Sequence, residues 1–273
     1  MNDETSILVL GMDELASAIA RKLYLASYAV AIHQPTPPQT IRRRMAFADA
    51  WTDGSCAFEG VEARRADRTR DVITALQSGA FIPVLWHPFE EIASRWPWDI
   101  IVDARARKAA APEKLLHLAE LTIGLGPGLC AGEHCDVVID TGARDPGAVL
   151  RHGSIGREDS AEEARFSDGR IVAAPHNGVF HGARRLCDRI AKGDVIGTVG
   201  AAEIVAPASG RLRGLARDGL AVARGAGLAE VAAAPNAEFA GSTRRDKLIA
   251  RSVAFVVEME RAGYAPISLE SYF

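Results

Sequence analysis

Short apolar runs separated by chain-breaking residues characterise the first half of the chain. Residues 7–10 are a β-forming apolar run that ends at Gly11, and apolar residues then recur at helical spacing over 15–23. A second apolar run, 28–32, precedes prolines at positions 35, 37 and 38. This strand–helix–strand order predicts a parallel α/β domain, which we expect to be Rossmann-like.

Later segments extend this prediction to three regions. Four further strand-like runs lie at 81–85, 99–103, 121–124 and 136–140. The chain from 141 to 168 is rich in glycine and charge, which predicts a boundary. Apolar positions at spacings of three and four over 244–261 predict an amphipathic helix. We therefore expect a Rossmann-like α/β domain over 1–165, a small all-β domain over 170–235, and a C-terminal helix and tail over 236–273 packing back on the body.

An internal repeat with an offset of 32 residues marks the C-terminal third. Residues 174–178 (Ala-Pro-His-Asn-Gly) recur as 206–210 (Ala-Pro-Ala-Ser-Gly), and Gly193 recurs as Gly225. A repeat of this length is typical of one supersecondary unit that is used more than once. We therefore expect a pseudo-symmetric β sandwich made of two units.

The repeat resembles the barrel-sandwich hybrid fold of biotinyl and lipoyl carrier domains over about 171–235. Those carriers present a modifiable lysine at the hairpin between their halves. The corresponding stretch here, 200–203, reads Gly-Ala-Ala-Glu, and Lys192 aligns with Arg224 in the second copy. The resemblance therefore implies the fold without the swinging arm, and we expect neither biotin nor lipoate on the chain.

Composition and charge narrow the class of protein. The 273 residues carry a net charge of −3, so neither nucleic acid nor an acidic membrane is an expected partner. The acidic N-terminus precedes an apolar run too short for a signal sequence or a membrane span, which predicts a cytoplasmic protein. The four cysteines are expected to be free thiols, and the spacing of Cys130 and Cys135 does not predict a metal site.

The turn after the first strand is a weak candidate for a dinucleotide site. A dinucleotide-binding loop needs three glycines, and only Gly11 is present. Asp13 and Glu14 would repel a phosphate at the start of the helix, and His33 stands where an acid should bind the ribose. We interpret this turn as a plain connection whose acids cap the helix dipole, with NAD(P) binding as the alternative.

The alternating glycines Gly124, Gly126 and Gly128 form a stronger candidate. Glycines that follow a strand leave backbone N–H groups that can converge on an anion, and Pro127 stiffens the loop. The alternative interpretation is a tight connector between a strand and a helix.

Two further clusters are candidates for polar chemistry. Arg42 and Arg43 lie near the start of a predicted helix over 41–51, where positive charge opposes the helix dipole unless an anion is near. The alternative is a solvated run of charges. Asp103 and Lys108 follow a buried strand, where open α/β sheets bind ligands, so they are candidate catalytic residues. The alternative for this pair is a capping aspartate and an exposed lysine.

Taken in order, these motifs resemble the YqeB-type family, the selenium-dependent molybdenum hydroxylase system proteins. The motifs that carry the resemblance are Gly-x-Asp-x-Leu-Ala at 11–16, Ile-Arg-Arg at 41–43, Val-Asp-Ala at 102–104, the glycine loop at 124–132 and Lys-Gly-Asp at 192–194. The resemblance implies a role in the maturation of molybdenum hydroxylases, enzymes related to xanthine dehydrogenase.

The expected function is that of an accessory protein. It would bind a phosphorylated small molecule (the molybdenum cofactor, its precursor or a nucleotide) or the client hydroxylase. Gly11, Arg42, Arg43 and the glycines of the 124–128 loop would contact that ligand. Whether the chain is an enzyme and whether it forms homo-oligomers stay open. The alternatives are an NAD(P)-dependent oxidoreductase with a degenerate glycine loop and a non-catalytic protein-interaction module.

Overall fold

The computed structural model describes residues 5–105, 113–155, 169–234 and 237–263. The strands of the first half are β1 (Ser6–Leu10), β2 (Ala29–His33), β3 (Ser55–Phe58), β4 (Val61–Arg65), β5 (Ile82–Leu85), β6 (Ile100–Asp103), β7 (Leu121–Leu125), β8 (Cys130–Ala131), β9 (Val137–Ile139), β10 (Val149–Leu150) and β11 (Gly153–Ser154). Nine of them form one sheet in the order β10-β9-β7-β6-β1-β2-β5-β4-β3, and β8 pairs with β11. Neighbouring strands run parallel from β9 to β4, whereas β10 and β3 are antiparallel edges.

Helices cover both faces of this sheet. They are α1 (Glu14–Tyr24), α2 (Asp49–Asp53), α3 (Thr69–Ser78), α4 (Phe89–Arg95) and α5 (Arg244–Arg261). In β1, Ile7 and Val9 join the core formed with α1 and α5, while Leu8 and Leu10 join the core formed with α3 and α4. This central strand is therefore buried on both faces, and each such side chain contributes about 1.5–3 kcal/mol to folding. None of the helices within the described ranges has the length and apolar character that crossing a bilayer requires.

The C-terminal helix α5 packs on α1 and begins at a complete capping box. The Thr243 side chain accepts from the backbone N–H of Asp246, and the Asp246 carboxylate accepts from the Thr243 N–H in return. Ile249, Val253 and Val257 then place an apolar stripe in the same core as α1. The polar start of α5 is thereby held beside the start of α1.

The C-terminal third forms two small antiparallel sheets. Their strands are β12 (Gly169–Ala173), β13 (Gly178–Gly182), β14 (Arg189–Ile190), β15 (Val195–Val199), β16 (Ala202–Val205), β17 (Gly210–Leu215), β18 (Ala221–Val222) and β19 (Gly227–Ala232). The orders are β12-β19-β17-β14 and β16-β15-β13-β18. A shared core that includes Phe180 and Leu212, which are equivalent positions of the repeat, joins the two sheets. We call this part of the molecule the β region.

The two copies of the repeat exchange strands. Strands β13, β14 and β15 of the first copy recur 32 residues later as β17, β18 and β19. However, β14 pairs with β17 of the second copy, and β18 pairs with β13 of the first. Each sheet therefore needs both copies, which explains why the repeat is not visible as two separate units.

The predicted fold class, a Rossmann-like α/β domain followed by a biotinyl/lipoyl-like barrel-sandwich hybrid domain and a C-terminal helix, is wrong, although the C-terminal helix itself is present as α5. The first sheet is large and mixed, with few helices, and β7 reaches its parallel neighbour β9 through the short strand β8 instead of a helix. Apolar runs predict strands, but they do not determine strand direction or which connections are helical. The β region is also not a separate carrier-like module, because Ile41 packs against its core and accepts a hydrogen bond from the N–H of Leu215 at 2.8 Å.

The predicted helix over 41–51 is also replaced by other structure. The chain forms a short 3-10 turn, Arg43–Met45, and then the five-residue helix α2. The carbonyl oxygen of Ile41 is bonded to the β region, where it accepts from the N–H of Leu215, so it does not take part in a helix.

Candidate functional site

The carboxyl ends of the central strands meet at one edge of the large sheet. Leu10 is in register with both His33 and Asp103, and Leu125 is in register with Ile139. From β1 the chain continues to β2 on one side, and it later returns to β6 on the other side. In open sheets of parallel strands, ligands bind at the carboxyl ends where the chain changes direction in this way. The candidate site is therefore built from the loops at this edge.

Gly11 is required by a close approach of two loops. Its φ is +108°, and a Cβ there would lie 3.2 Å from the carbonyl oxygen of Ala104. Its N–H donates to the carbonyl oxygen of His33 at 3.0 Å. Gly11 thus joins the ends of three neighbouring strands, and its N–H is already used within the protein.

Two acids at the start of α1 have raised pKa values. Asp13 caps the helix, its carboxylate accepting from the N–H of Ala16 at 2.9 Å. Burial, together with the nearby charge of Asp246, raises the pKa of Asp13 from 3.8 to about 6. Burial and the charge of Asp13 raise the pKa of Glu14 from 4.5 to about 7. Both side chains therefore exchange a proton near neutral pH, which is a property of residues in functional sites.

The sequence prediction treated these two acids only as helix caps. Burial is the main cause of their raised pKa values, and the charge of Asp246 adds to it. Asp246 lies more than 200 residues away along the chain and is 5% exposed at the start of α5. The signal that the sequence offered was the pair of adjacent acids directly after the first strand. We call Asp13, Glu14 and Asp246 the acidic cluster.

The acidic cluster adjoins the glycine loop through α5. Arg245 is an electrostatic neighbour of Asp13 and donates a hydrogen bond to the carbonyl oxygen of Thr141. A Cβ at Gly126 would lie 3.1 Å from the hydroxyl oxygen of Thr141. The structure therefore brings the first loop and the glycine loop to the same surface, with Arg245 and Thr141 between them.

Packing and backbone conformation explain why the 124–128 loop contains glycines. Gly124 belongs to β7, and a Cβ there would lie 2.6 Å from a methyl group of Leu129. Gly126 and Gly128 have φ values of +90° and +86°, and the N–H of Gly126 donates to the carbonyl oxygen of Ile139 at 3.1 Å. An anion at this loop could therefore not use the N–H of Gly126, although the backbone conformation of the loop does require glycine.

Arg42 is held by a buried carboxylate. It donates two hydrogen bonds to Glu230, at 2.6 and 2.8 Å, and Arg213 donates a third at 2.6 Å. Glu230 is completely buried in β19. Burial alone would raise the pKa of Glu230, but the hydrogen bonds from the two arginines outweigh it and lower that pKa from 4.5 to about 2. We call Arg42, Arg213 and Glu230 the arginine–glutamate cluster.

Arg43 is also held within the protein. Its Nε donates to the carbonyl oxygen of Leu215 at 3.1 Å, and its guanidinium pairs with Asp49 at 2.8 Å. The sequence argument that these arginines need an anionic ligand does not hold, because protein carboxylates supply the negative charge. Arg42 and Arg43 instead attach the 41–44 segment to the β region.

Of the two predicted catalytic residues, the structure describes only Asp103. Asp103 ends β6 with 1% exposure and forms a two-point ion pair with Arg105, at 2.9 and 2.8 Å. Arg105 also contacts Glu113 at 3.0 Å, and these carboxylates raise its pKa further above the usual range. Asp103 is therefore a buried anchor of the loop after β6. Lys108 lies outside the described residues.

The structure reveals His33 as a further polar group at the same edge. It is 2% exposed, and its Nε2 lies 2.8 Å from the carbonyl oxygen of His87. Because a carbonyl oxygen can only accept, Nε2 carries the proton, and Nδ1 keeps a lone pair that has no partner among the described residues. Burial lowers the pKa of His33, so the ring is neutral near pH 7. The sequence prediction noted His33 only as a missing acid.

Metal-binding side chains do not gather at this edge. In the part of the chain that the structure describes, no group of three or more histidine, cysteine, aspartate or glutamate residues has a geometry that could hold a metal ion. His134 is instead engaged locally, since its Nδ1 accepts from the N–H of Cys130 at 3.0 Å.

Comparison with known proteins decides the family. The chain is 32% identical to the uncharacterized protein YqeB of Escherichia coli K12 over 222 residues, which is 80% of this chain. The chain belongs to the YqeB-type family. It spans 41% of the length of YqeB, and no protein-family model matches it. The family resemblance expected from the sequence motifs is thereby confirmed.

Two solved structures that match most of the chain are distant in sequence. The ectoine utilization protein EutE (DoeB) from Ruegeria pomeroyi matches 85% of this chain and 86% of its own, at 12% identity and a TM-score of 0.26. An aspartoacylase family protein from Mesorhizobium loti matches 85% of this chain and 87% of its own, at 12% identity and a TM-score of 0.25.

Proposed function

We propose that this chain acts as an accessory protein in the maturation of a molybdenum hydroxylase, and that it binds a phosphorylated ligand beside the acidic cluster. Membership of the YqeB-type family carries the proposal, because the resemblance to that family implies this pathway. The ligand would be the molybdenum cofactor, its precursor or a nucleotide. The client hydroxylase is the proposed protein partner, and the proposed location is the cytoplasm, on the sequence grounds given above.

The chemistry of the edge supports a ligand with many oxygen atoms. When Asp13 and Glu14 are protonated, they donate hydrogen bonds and no longer repel an anion. Arg245 and the N-terminus of α1 then supply positive potential at the same surface. Such a site binds an anion more tightly below pH 6 than above pH 7, because the acids lose their protons between these values.

The dinucleotide alternative is less well supported by the same contacts. His33 replaces the ribose-binding acid and is engaged with the carbonyl oxygen of His87. The N–H of Gly11 is bonded to the backbone of β2, so it does not face a pyrophosphate. These observations favour an accessory role over an oxidoreductase.

Complementation tests the proposal. A strain that lacks the gene receives the wild-type chain, the double variant Asp13→Ala with Glu14→Ala, which removes both donors, or the control Glu62→Gln, which changes a half-exposed acid that pairs with Arg64. Hydroxylase activity and the molybdenum content of the purified hydroxylase are then measured. We expect the double variant to lose at least about ten-fold in both, which corresponds to one or two charge-assisted hydrogen bonds. The control should restore both.

The outcomes separate the pathway from the site. If deletion of the gene leaves the hydroxylase fully active, the accessory function is wrong. If the wild-type chain restores activity and a folded double variant restores it equally, the function stands and the acidic cluster is not its site. A molybdenum enzyme outside the hydroxylase family, assayed in the same extracts, should be unaffected throughout.

A further inference from the structure

A cavity of about 200 Å³ lies on the opposite face of the large sheet from the acidic cluster. It is bounded by the carboxyl ends of β4 and β5, the start of α3, the helix α4 and the loop before β6. Its lining includes Arg68, Thr69, His87, Trp96 and Trp98. None of these residues takes part in the proposed function, so the cavity is considered independently of it.

The inner wall of the cavity is aromatic and contains an unused donor. The rings of Trp96 and Trp98 lie 5.9 Å apart at an angle of 35°. Trp98 is 4% exposed, and its indole N–H has no hydrogen-bond partner among the described residues. A buried indole N–H usually finds an acceptor, because leaving it unpaired costs free energy. The wall therefore offers flat apolar surface, and the Trp98 indole N–H behind it is closed to solvent.

The mouth of the cavity carries an available positive charge. Arg68 is exposed there and forms no ion pair with any described residue, whereas its neighbour Arg70 pairs with Asp71 at 3.6 Å. Asp67 also lines the cavity, but its carboxylate accepts from Arg65 and from the indole N–H of Trp86, each at 3.0 Å. Arg68 precedes α3, whose start has no side-chain cap. Positive charge and the unpaired N–H groups of α3 thus coincide at the opening.

The volume limits the size of the occupant. An apolar cavity of about 150 Å³ accommodates benzene, so a cavity of this size accommodates a fused two-ring system and little more. Larger substituents must extend through the mouth toward Arg68. We propose that this cavity binds a flat two-ring heteroaromatic ligand that carries a negatively charged group. The rings pack against Trp96 and Trp98, and the anionic group contacts Arg68 and the start of α3.

Calorimetric titration with three matched probes tests this proposal. Guanosine monophosphate carries the two-ring system and the anion, guanosine carries only the rings, and inorganic phosphate carries only the anion. We expect one molecule of guanosine monophosphate to bind per chain, guanosine to bind about ten-fold more weakly, and phosphate to give no saturable binding in the same range. The proposal is overturned if guanosine monophosphate does not bind at millimolar concentration, or if phosphate binds as tightly as it does.

Two variants and one spectrum locate the binding. Arg68→Gln should weaken guanosine monophosphate about ten-fold and leave guanosine unchanged, while the control Arg70→Gln should change neither. In an NMR spectrum of the indole N–H groups, the Trp98 signal should shift on binding and that of Trp51, which donates to the carbonyl oxygen of Gln34, should not. Trp98→Phe serves to assign its signal. Equal effects of the two arginine variants, or an unshifted Trp98 signal at saturation, would place the ligand elsewhere.

Discussion

Two clusters of charge lie near the start of α1, and the pKa values of their buried carboxyl groups are shifted in opposite directions. In the arginine–glutamate cluster, Glu230 is fully buried but receives hydrogen bonds from two arginines, so its pKa falls to about 2. In the acidic cluster, Asp13 and Glu14 are half-buried beside Asp246 and have too little positive charge to offset burial, so their pKa values rise to about 6 and about 7. Burial raises the pKa in both clusters, and the partners decide the result.

This difference distinguishes a carboxylate that joins two parts of the structure from acids that can exchange protons. A carboxylate that is fully paired stays charged at all ordinary pH values and joins the 41–44 segment to the β region. Acids that are not paired cost folding energy, and proteins keep such groups where a ligand or a proton is exchanged. Arg42 and Glu230 therefore have a structural role, whereas the proposed function places the ligand beside Asp13 and Glu14.

Removing the charge of Glu230 should have the largest effect on stability. Glu230→Gln leaves Arg42 and the 8%-exposed Arg213 without their shared carboxylate. We expect a loss of about 3–5 kcal/mol in the free energy of unfolding, as for other buried pairs that lose one partner. Urea denaturation measures this loss. The exposed control Glu62→Gln should change stability by less than about 1 kcal/mol, and equal effects would mean that the buried cluster is not structural.

Removing the charges of Asp13 and Glu14 should instead raise the free energy of unfolding. The folded protein holds protons on Asp13 and Glu14 that the unfolded chain releases near pH 4, so these groups make stability fall as the pH rises from about 4 to 7. The double variant Asp13→Asn with Glu14→Gln keeps an N-cap side chain. We expect it to be about 1–2 kcal/mol more stable than the wild type at pH 8 and equal to it near pH 4.

Denaturation at a series of pH values measures this prediction. Glu230 acts in a different range, since its lowered pKa adds stability above about pH 4.5 that is lost as the pH falls toward 2. The two clusters can therefore be distinguished in one profile. A double variant that is less stable than the wild type at pH 8 would show that the acids are paired after all.

Gly126→Ala should have the smallest effect, and it changes the site without changing its charge. The φ of +90° costs an L-residue about 1 kcal/mol, and the new Cβ would also press on the hydroxyl of Thr141. Gly60→Ala is the matched control, because Gly60 has a φ of +82° with nothing near its Cβ. We expect Gly126→Ala to lose at least as much stability as the control in the same denaturation assay. Only Gly126→Ala should impair complementation, and full activity with it would leave the loop as a connector.

Local features of the fold could be predicted from the sequence. The first strand and the C-terminal helix follow from apolar spacing, and the 32-residue repeat reappears in the positions of β13 to β15 and β17 to β19. The exchange of β14 and β18 between the copies could not be predicted, because a repeat shows which segments are equivalent but not how they pair. The antiparallel edge strands of the large sheet, β10 and β3, were also missed, because apolar runs do not determine strand direction.

The candidate site was harder to predict because its contacts are distant in sequence. Arg42 was identified as a charge in need of an anion, but its partner Glu230 lies 188 residues away. Asp13 and Glu14 were identified as helix caps, and the burial that raises their pKa values arises only in the folded structure. Residue types therefore indicated where charge would matter, and the tertiary structure decided which charges are already satisfied.

A carboxyl titration followed by NMR tests the central claim most directly. With carbon-13 in the side-chain carboxyl groups and signals assigned by the variants above, we expect Asp13 and Glu14 to titrate near pH 6 and pH 7. Glu230 should remain ionised down to about pH 3. The account is contradicted if Asp13 and Glu14 titrate near 4, as exposed acids do, or if Glu230 titrates together with them.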